Sequence, residues 1–334
     1  MNVIKRMTKQ REFMIFAIVL GVFIIMSFAS PYFLGTGNML ALLLGLSIEV
    51  LIAVGMTNLM VSGGFDMSVG SVVAFTGAMT AMLITKGMPV VVGILIGITI
   101  GGLVGLFNGF IIAKIGINPF VTTLASLSLF RGLTLIISKG QNISGLGEAF
   151  NAVGQSKLLG IQLPIWYAVI LVIIGDILLR KSRFFRQSYY IGGNEKAAKL
   201  SGIDVDKIKI LNYVIVGALA GFAGIVMTSR LGAAAVTAGT GLELRVITAV
   251  IIGGASLQGG EGTVVGAFLG SLLMALITNA LTLLGVDVYW QTFVIGATLL
   301  IAVLIDRAGK LRKEKSERLA KEGAKLCNTQ ALKE

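Results

Sequence analysis

The sequence predicts an all-α, polytopic membrane protein with about ten spanning helices, and three observations carry that prediction. First, 55% of the 334 residues are hydrophobic and only 13% charged, at a mean hydropathy of +0.91; soluble domains carry roughly 25% charged residues. Second, the apolar residues gather into runs long enough to cross a bilayer. Third, the 44 glycines suit helices that pack backbone to backbone through small residues. Pro31, Pro89, Pro119 and Pro164 each sit at the edge of an apolar run, where helices tolerate proline.

A spanning helix needs about 20 apolar residues, within roughly 17–25. The candidate spans are 12–30, 39–61, 68–86, 89–112, 118–138, 164–180, 209–229, 243–257, 261–284 and 288–305. The first follows a basic start, and no small-residue cleavage site ends it, so it reads as an uncleaved helix. Spans 39–61 and 68–86 are divided only by Val61-Ser62-Gly63-Gly64-Phe65-Asp66-Met67. Asn118 caps the fifth, with Pro119 in its first position. The loop 139–163 holds a weakly amphipathic stretch at 146–159, read as a short interfacial helix. Between 164–180 and 209–229 lies a polar island at 181–208. The span 243–257 is short, and Gly259 and Gly260 blur its border with the next. The division is therefore a terminal segment 1–11, one helical membrane domain 12–309, and a charged, helix-prone tail 310–334.

Charge orients the chain. With the N-terminus in the cytoplasm and ten alternating spans, every Lys and Arg except Lys86, Arg131, Lys139, Lys157, Arg230 and Arg245 falls inside. That positive-inside bias places both termini in the cytoplasm. The formal charge of +12 belongs to a lipid-facing surface. No basic stripe with interleaved aromatics suggests nucleic acid. Histidine is absent and Cys327 is the single cysteine, so no disulfide, metal cluster or nucleophile–base pair is suggested. The only Gly-Lys pair, Gly309-Lys310, is followed by Leu311, so there is no phosphate-binding loop. Uphill transport needs a partner or an ion gradient.

The polar island contains Gly192-Gly193-Asn194-Glu195-Lys196-Ala197-Ala198-Lys199-Leu200-Ser201-Gly202-Ile203. So hydrophilic a segment must leave the bilayer core, where unpaired polar groups cost several kcal/mol each. Asn194 is an N-cap, Glu195 favours the positive helix end, Gly202 is a stop, and Asp204 or Asp206 caps the helix that follows. Ala197, Ala198 and Ser201 leave one side almost without bulk, so a partner surface has room to approach closely. An ordinary solvated loop helix fits the same residues.

This segment resembles the coupling-loop signature of monosaccharide ABC importer permeases, the ribose-permease-like branch of the branched-chain permease family. The general form of that signature, Glu-Ala-Ala-x-x-x-Gly, is met in part: Lys196 replaces its first Ala and Gly202 falls one position late. The resemblance implies that Gly192, Gly193, Asn194, Glu195, Ala197, Ala198, Ser201, Gly202 and Ile203 dock a cytoplasmic ATPase. A second stretch, Gly63-Gly64-Phe65-Asp66-Met67-Ser68-Val69-Gly70, is similar to the Gly-Gly-Ile-Asp-Leu-Ser-Val-Gly of the same family. On residues alone it is a tight turn with Asp66 or Ser68 as a cap. Facing the cytoplasm near the coupling helix, it suits a gate or hinge built on Gly63, Gly64, Asp66, Ser68 and Gly70. Segments like Asn118-Pro119-Phe120 occur at the corresponding place in the family. The glycine-rich stretch 253–263 weakly echoes 62–71.

Ionisable groups within spans are costly and count as functional candidates. Glu49 lies near the middle of its span and Arg131 in the outer half of another; a pair joining two helices is the structural reading of both. Asn58, Thr57, Asn108, Asn118, Thr122, Asn279 and Gln291 are candidates to line a translocation path, or else interhelical glue. The resemblance implies a type II ABC importer permease: a dimer of permeases in the bacterial inner membrane, two ATPases inside that bind ATP and Mg, and a soluble sugar-binding protein outside. This chain would hold no cofactor and catalyse nothing. The rival reading is an ion-coupled secondary transporter, which calls for more midplane carboxylates; it leaves the polar island unexplained.

Overall fold

The computed structural model describes the backbone of residues 2–331 and the side chains of 12–287, 289–309 and 311. Met1 and residues 332–334, the extremities of the terminal segments expected at 1–11 and 310–334, lie outside the described residues. The chain runs through α1 (Asn2–Ala29), α2 (Thr36–Val61), α3 (Val69–Thr85), α4 (Val90–Phe110), α5 (Pro119–Ser138), α6 (Glu148–Gln155), α7 (Leu163–Lys181), α8 (Arg183–Gly193), α9 (Glu195–Leu200), α10 (Val205–Leu231), α11 (Leu242–Ile252), α12 (Val264–Leu283) and α13 (Val288–Ala331). A π-helical turn, Ile111–Ile115, extends α4. Two antiparallel strand pairs of two residues each, Ile143–Ser144 with Ala233–Ala234 and Lys157–Leu158 with Ile161–Gln162, pin the loops beside α6.

Eight helices among the described residues are long and apolar enough to cross a membrane, and α3 is a shorter apolar helix. The expected span 243–257 is different. Its helix, α11, has 11 residues, about 16 Å at 1.5 Å per residue, against a hydrocarbon core of about 30 Å. It is a half-helix: the chain turns at Gly239 and Gly241, both at positive φ, and enters the bundle part-way. Such a break is tolerated only where protein surrounds it, and Leu242, Val246, Ile247, Val250 and Ile251 are indeed all buried.

Burial ranks the helices. Within their apolar windows α2 is 67% and α10 56% buried, against 17% for α1 and α7 and 6% for α13; α2 and α10 are therefore the centre and α13 lies on the outside of the bundle. Leu51, Met56, Leu59 and Met60 of α2 form the main core with Val216, Ala220 and Ala223 of α10 and Val246 and Val250 of α11. Ile15 and Val19 of α1 pack on Leu273 and Leu276 of α12 in a separate cluster.

The tightest seam joins α4 to α10. Glycine recurs every fourth residue on α4, and a Cβ at Gly101 would collide with the Gly217 carbonyl, one at Gly105 with the Tyr213 carbonyl. Lipid tails are as apolar as the side chains, so helices in a membrane gain from van der Waals fit rather than from hydrophobic burial, and removing side chains at the contact maximises that fit.

Candidate functional site

The polar island folds as two short helices, α8 and α9, laid across one end of the bundle. Asn194 accepts a hydrogen bond from the Ala197 N–H at 3.0 Å and so caps α9. Asp204 does the same for α10, from the Lys207 N–H at 3.1 Å. Gly202, at φ +83°, ends α9. One expectation is corrected: Ala198 does not face outwards. It is buried in a cluster with Ile191, Val205 and Ile208, because a short helix needs an apolar anchor to lie still. Ala197, Lys196, Ser201 and Gly202 are exposed, and Leu200 is 90% exposed. Lys209 straps Glu195 at 2.7 Å, a surface pair that contributes little by itself.

Gly192 sits where three loops meet. A Cβ there would collide with the Val61 carbonyl and the Gly260 N–H, and that N–H donates to the same carbonyl at 2.8 Å. The end of α2, the 253–263 turn and the end of α8 therefore touch backbone to backbone. Tyr189 donates its hydroxyl to the Gly262 carbonyl at 2.7 Å, and burial pushes that hydroxyl up to about 12. Beneath the junction, Asn212 of α10 donates to Ser62 and Ser188, both at 3.1 Å, and accepts from Asn58 at 2.7 Å. This polar cluster ties α2, α8 and α10 together. Sequence reasoning named Asn58 but missed Ser188, Tyr189 and Asn212; the signal available was Asn212, a lone amide in the run that begins at Leu211.

The 62–70 stretch starts at the surface and then turns inwards. Gly63 is exposed, whereas Asp66 and Ser68 are fully buried, so the segment leaves the surface at the end that carries α8 and α9 and runs inwards between helices. Asp66 accepts from the Ser68 N–H at 2.7 Å and its hydroxyl at 2.6 Å. Asn108 donates to Ser68 Oγ at 3.0 Å and Asp66 Oδ2 at 3.3 Å, and accepts from Ser126 at 2.5 Å. Gly70 is obligatory for space: a Cβ would meet the Glu243 carboxylate and the Gly239 carbonyl.

Glu49 and Arg131 do not pair. Arg131 donates to the carbonyls of Val236 and Ala238, both at 2.9 Å, because the loop before α11 brings its bare carbonyls to that point. Glu49 faces a cavity of about 330 Å³ between α2, α10, α11 and α12, which Arg230, Arg245, Thr278, Asn279 and Thr282 also line. The seven path candidates do not line one shared cavity: Thr57 donates to the Ala53 carbonyl at 2.7 Å and Gln291 to Thr282 at 3.2 Å. Asn58 and Asn108 belong to the two polar clusters. Asn118 caps α5 by accepting from Phe120 at 2.8 Å. Thr122 keeps a buried, unpartnered hydroxyl, and Asn279 exchanges hydrogen bonds with Asn38 at 2.7 and 3.2 Å. Among the described residues no three His, Cys, Asp or Glu are placed to hold a metal ion.

A bundle of apolar helices with two irregular turns at one end, and a polar cavity in the other half, defines a polytopic membrane protein of the all-α class. The family model described as "Branched-chain amino acid transport system / permease component" matches residues 38–303, and the chain belongs to that family. It is 44% identical to the ribose import permease protein RbsC of Bacillus subtilis, over 86% of this chain and 91% of the relative. It is 39% identical to the Escherichia coli K12 protein of the same name, over 84% and 89%. It is also 39% identical to the L-arabinose ABC transporter permease protein AraH of Azospirillum brasilense, over 87% and 86%. These relatives are transporter permeases, a class that is not enzymatic. No solved structure gave a significant match.

Proposed function

We propose that the chain is the membrane subunit of an ATP-binding cassette importer for a monosaccharide, with a pentose or hexose as substrate. It lies in the bacterial inner membrane with both termini in the cytoplasm. It pairs with a second copy, docks a cytoplasmic ATPase that binds ATP and Mg, and receives sugar from an extracytoplasmic binding protein. The ribose and arabinose permeases among its relatives support the substrate class. The observation that carries the coupling is α9: a short helix anchored by Ala198, showing a fully exposed Leu200, on a base that touches both irregular turns through Gly192.

The chain supplies a lever. A push on α9 passes through α8 to Gly192, where no side chain stands between it and the Val61 carbonyl. The end of α2 and the 253–263 turn then move with it, and Asn212 spreads the displacement to α10. Packed contacts transmit motion because they do not compress.

The test is Leu200→Asp. Leu200 makes no buried contact to lose, so the variant keeps the stability of the parent, while its cognate ATPase no longer co-purifies in mild detergent. Ala198→Asp is the contrast: it buries an unpaired charge and destabilises the chain itself. An ATPase retained fully by Leu200→Asp, with ATP-driven sugar uptake intact, refutes α9 as the docking element.

A further inference from the structure

The cavity beside Glu49 has no assigned occupant, and its wall is chemically specific. Glu49 is 5% exposed, and its Oε1 atom has no hydrogen-bond partner. It lies 12 residues before Val61 on α2, about 18 Å along the helix, in the half of the bundle remote from α9. Arg245 is the cation that acts on it, without reaching it as an ion pair. The guanidinium groups of Arg230 and Arg245 form no ion pair or side-chain hydrogen bond with any described residue. Thr278 donates to the Met274 carbonyl, which leaves its oxygen free to accept. Gly45 lines the same wall, and a Cβ there would meet nothing within 4 Å.

A carboxylate only accepts and a guanidinium only donates. A cation in this cavity would face two arginines, and an anion would face Glu49. A hydroxyl both donates and accepts, so a neutral polyol satisfies both kinds of wall at once. The volume, about 330 Å³, lies at the lower end of the roughly 300–1,000 Å³ of small-molecule sites. Glu49 is buried and the two arginines half-buried; charged groups so withdrawn from water and left unpaired are costly, which gives such a solute a strong claim on them.

We propose that this cavity is a binding site for one neutral monosaccharide within a single copy of the chain, with Glu49 accepting from its hydroxyls and Arg230 and Arg245 donating to them. The assignment rests on the importer reading for its substrate class but not on the ATPase. It also makes Gly45 the clearance that admits the sugar.

The experiment uses the purified full-length chain in detergent. A Gly45→Cys substitution in a Cys327→Ser background places a thiol in the open part of the wall, and a small maleimide reports access. D-Ribose, D-ribonate and D-glucosamine serve as neutral, anionic and cationic probes. Labelling is expected to slow about tenfold with D-ribose once its concentration stands roughly tenfold above its Kd, and to be unaffected by the two charged probes. Adding Glu49→Gln, which exchanges an acceptor oxygen for a donor at the same shape, should raise the half-protecting concentration roughly ten- to a hundredfold. If that variant does not fold, Arg245→Gln replaces it with the same expected rise. A thiol that never reacts, protection by a charged probe in place of D-ribose, protection by none, or a Glu49→Gln chain protected unchanged would each overturn the site. Protection without ATP-driven uptake by the assembled transporter keeps the site and removes the importer reading; ATP-driven uptake without protection does the reverse.

Discussion

Asn108 makes three buried side-chain hydrogen bonds, and replacing it with Ala tests whether they act together. The substitution removes two donated bonds, to Ser68 and Asp66, and one accepted from Ser126. Interhelical hydrogen bonds in membranes average about 0.6 kcal/mol each, because the unfolded chain finds other partners, so three come to about 2 kcal/mol. The larger effect is on Asp66. Its Oδ1 keeps Ser68, but Oδ2 loses Asn108 while remaining buried, and a stranded buried acceptor costs about 1–3 kcal/mol. The expected loss is thus about 3–5 kcal/mol on those two figures. Ser126→Ala removes one bond and strands only the neutral Asn108 Oδ1, and should cost about 1 kcal/mol, the low end of that range. The assay is reversible unfolding in mixed micelles by SDS titration, followed by circular dichroism, with the double variant completing the cycle. Residues in one network couple by about 0.5–3 kcal/mol. If Asn108→Ala costs no more than Ser126→Ala, or the two effects simply add, the group is not a network.

Three further outcomes are expected. Gly101→Ala should destabilise by about 1–3 kcal/mol through overpacking against the Gly217 carbonyl, whereas Gly102→Ala, whose new methyl meets nothing nearer than 3.8 Å, should stabilise by about 0.5–1 kcal/mol; equal signs in SDS unfolding would refute the backbone seam. Tyr189 holds its proton up to about 12, against an ordinary value near 10. Its contribution to stability is therefore complete below pH 10 and fades as pH rises towards 12, and Tyr189→Phe should lose less stability across that window than the parent in thermal melts. In a Cys327→Ser background, Gln155→Cys and Lys196→Cys should react with a membrane-impermeant maleimide from opposite sides; labelling from one side would overturn the orientation.

The sequence made the helices legible because each needs only its own run of apolar residues and its own caps. Asn118, Asn194 and Asp204 cap where their local chemistry says they should. What could not be read is what depends on several segments at once. The 243–257 run is apolar whether it crosses the bilayer or stops half-way, and only the buried contacts of Leu242 and Val246 on its neighbours distinguish the two. Ala198 and Ala197 are the same residue type, yet one is an anchor and the other is exposed, since helix phase against α10 decides. Glu49 and Arg131 invited pairing by charge alone, but Arg131 finds carbonyls at Val236 and Ala238, 105 and 107 residues further along the chain, that no local pattern announces. The Glu49 cavity combines residues of four helices, and Arg230 and Arg245 look like ordinary loop-edge cations until those helices are assembled.

Where Gly101 and Gly105 meet Gly217 and Tyr213, the main chains of α4 and α10 rest on each other directly. Helices joined this way have no rotamer to exchange and no methylene to give, so they travel as one plank. On the lever reading proposed above, rocking of the membrane body would fall instead on the irregular stretches at 62–68 and 253–263, against which Gly192 leans.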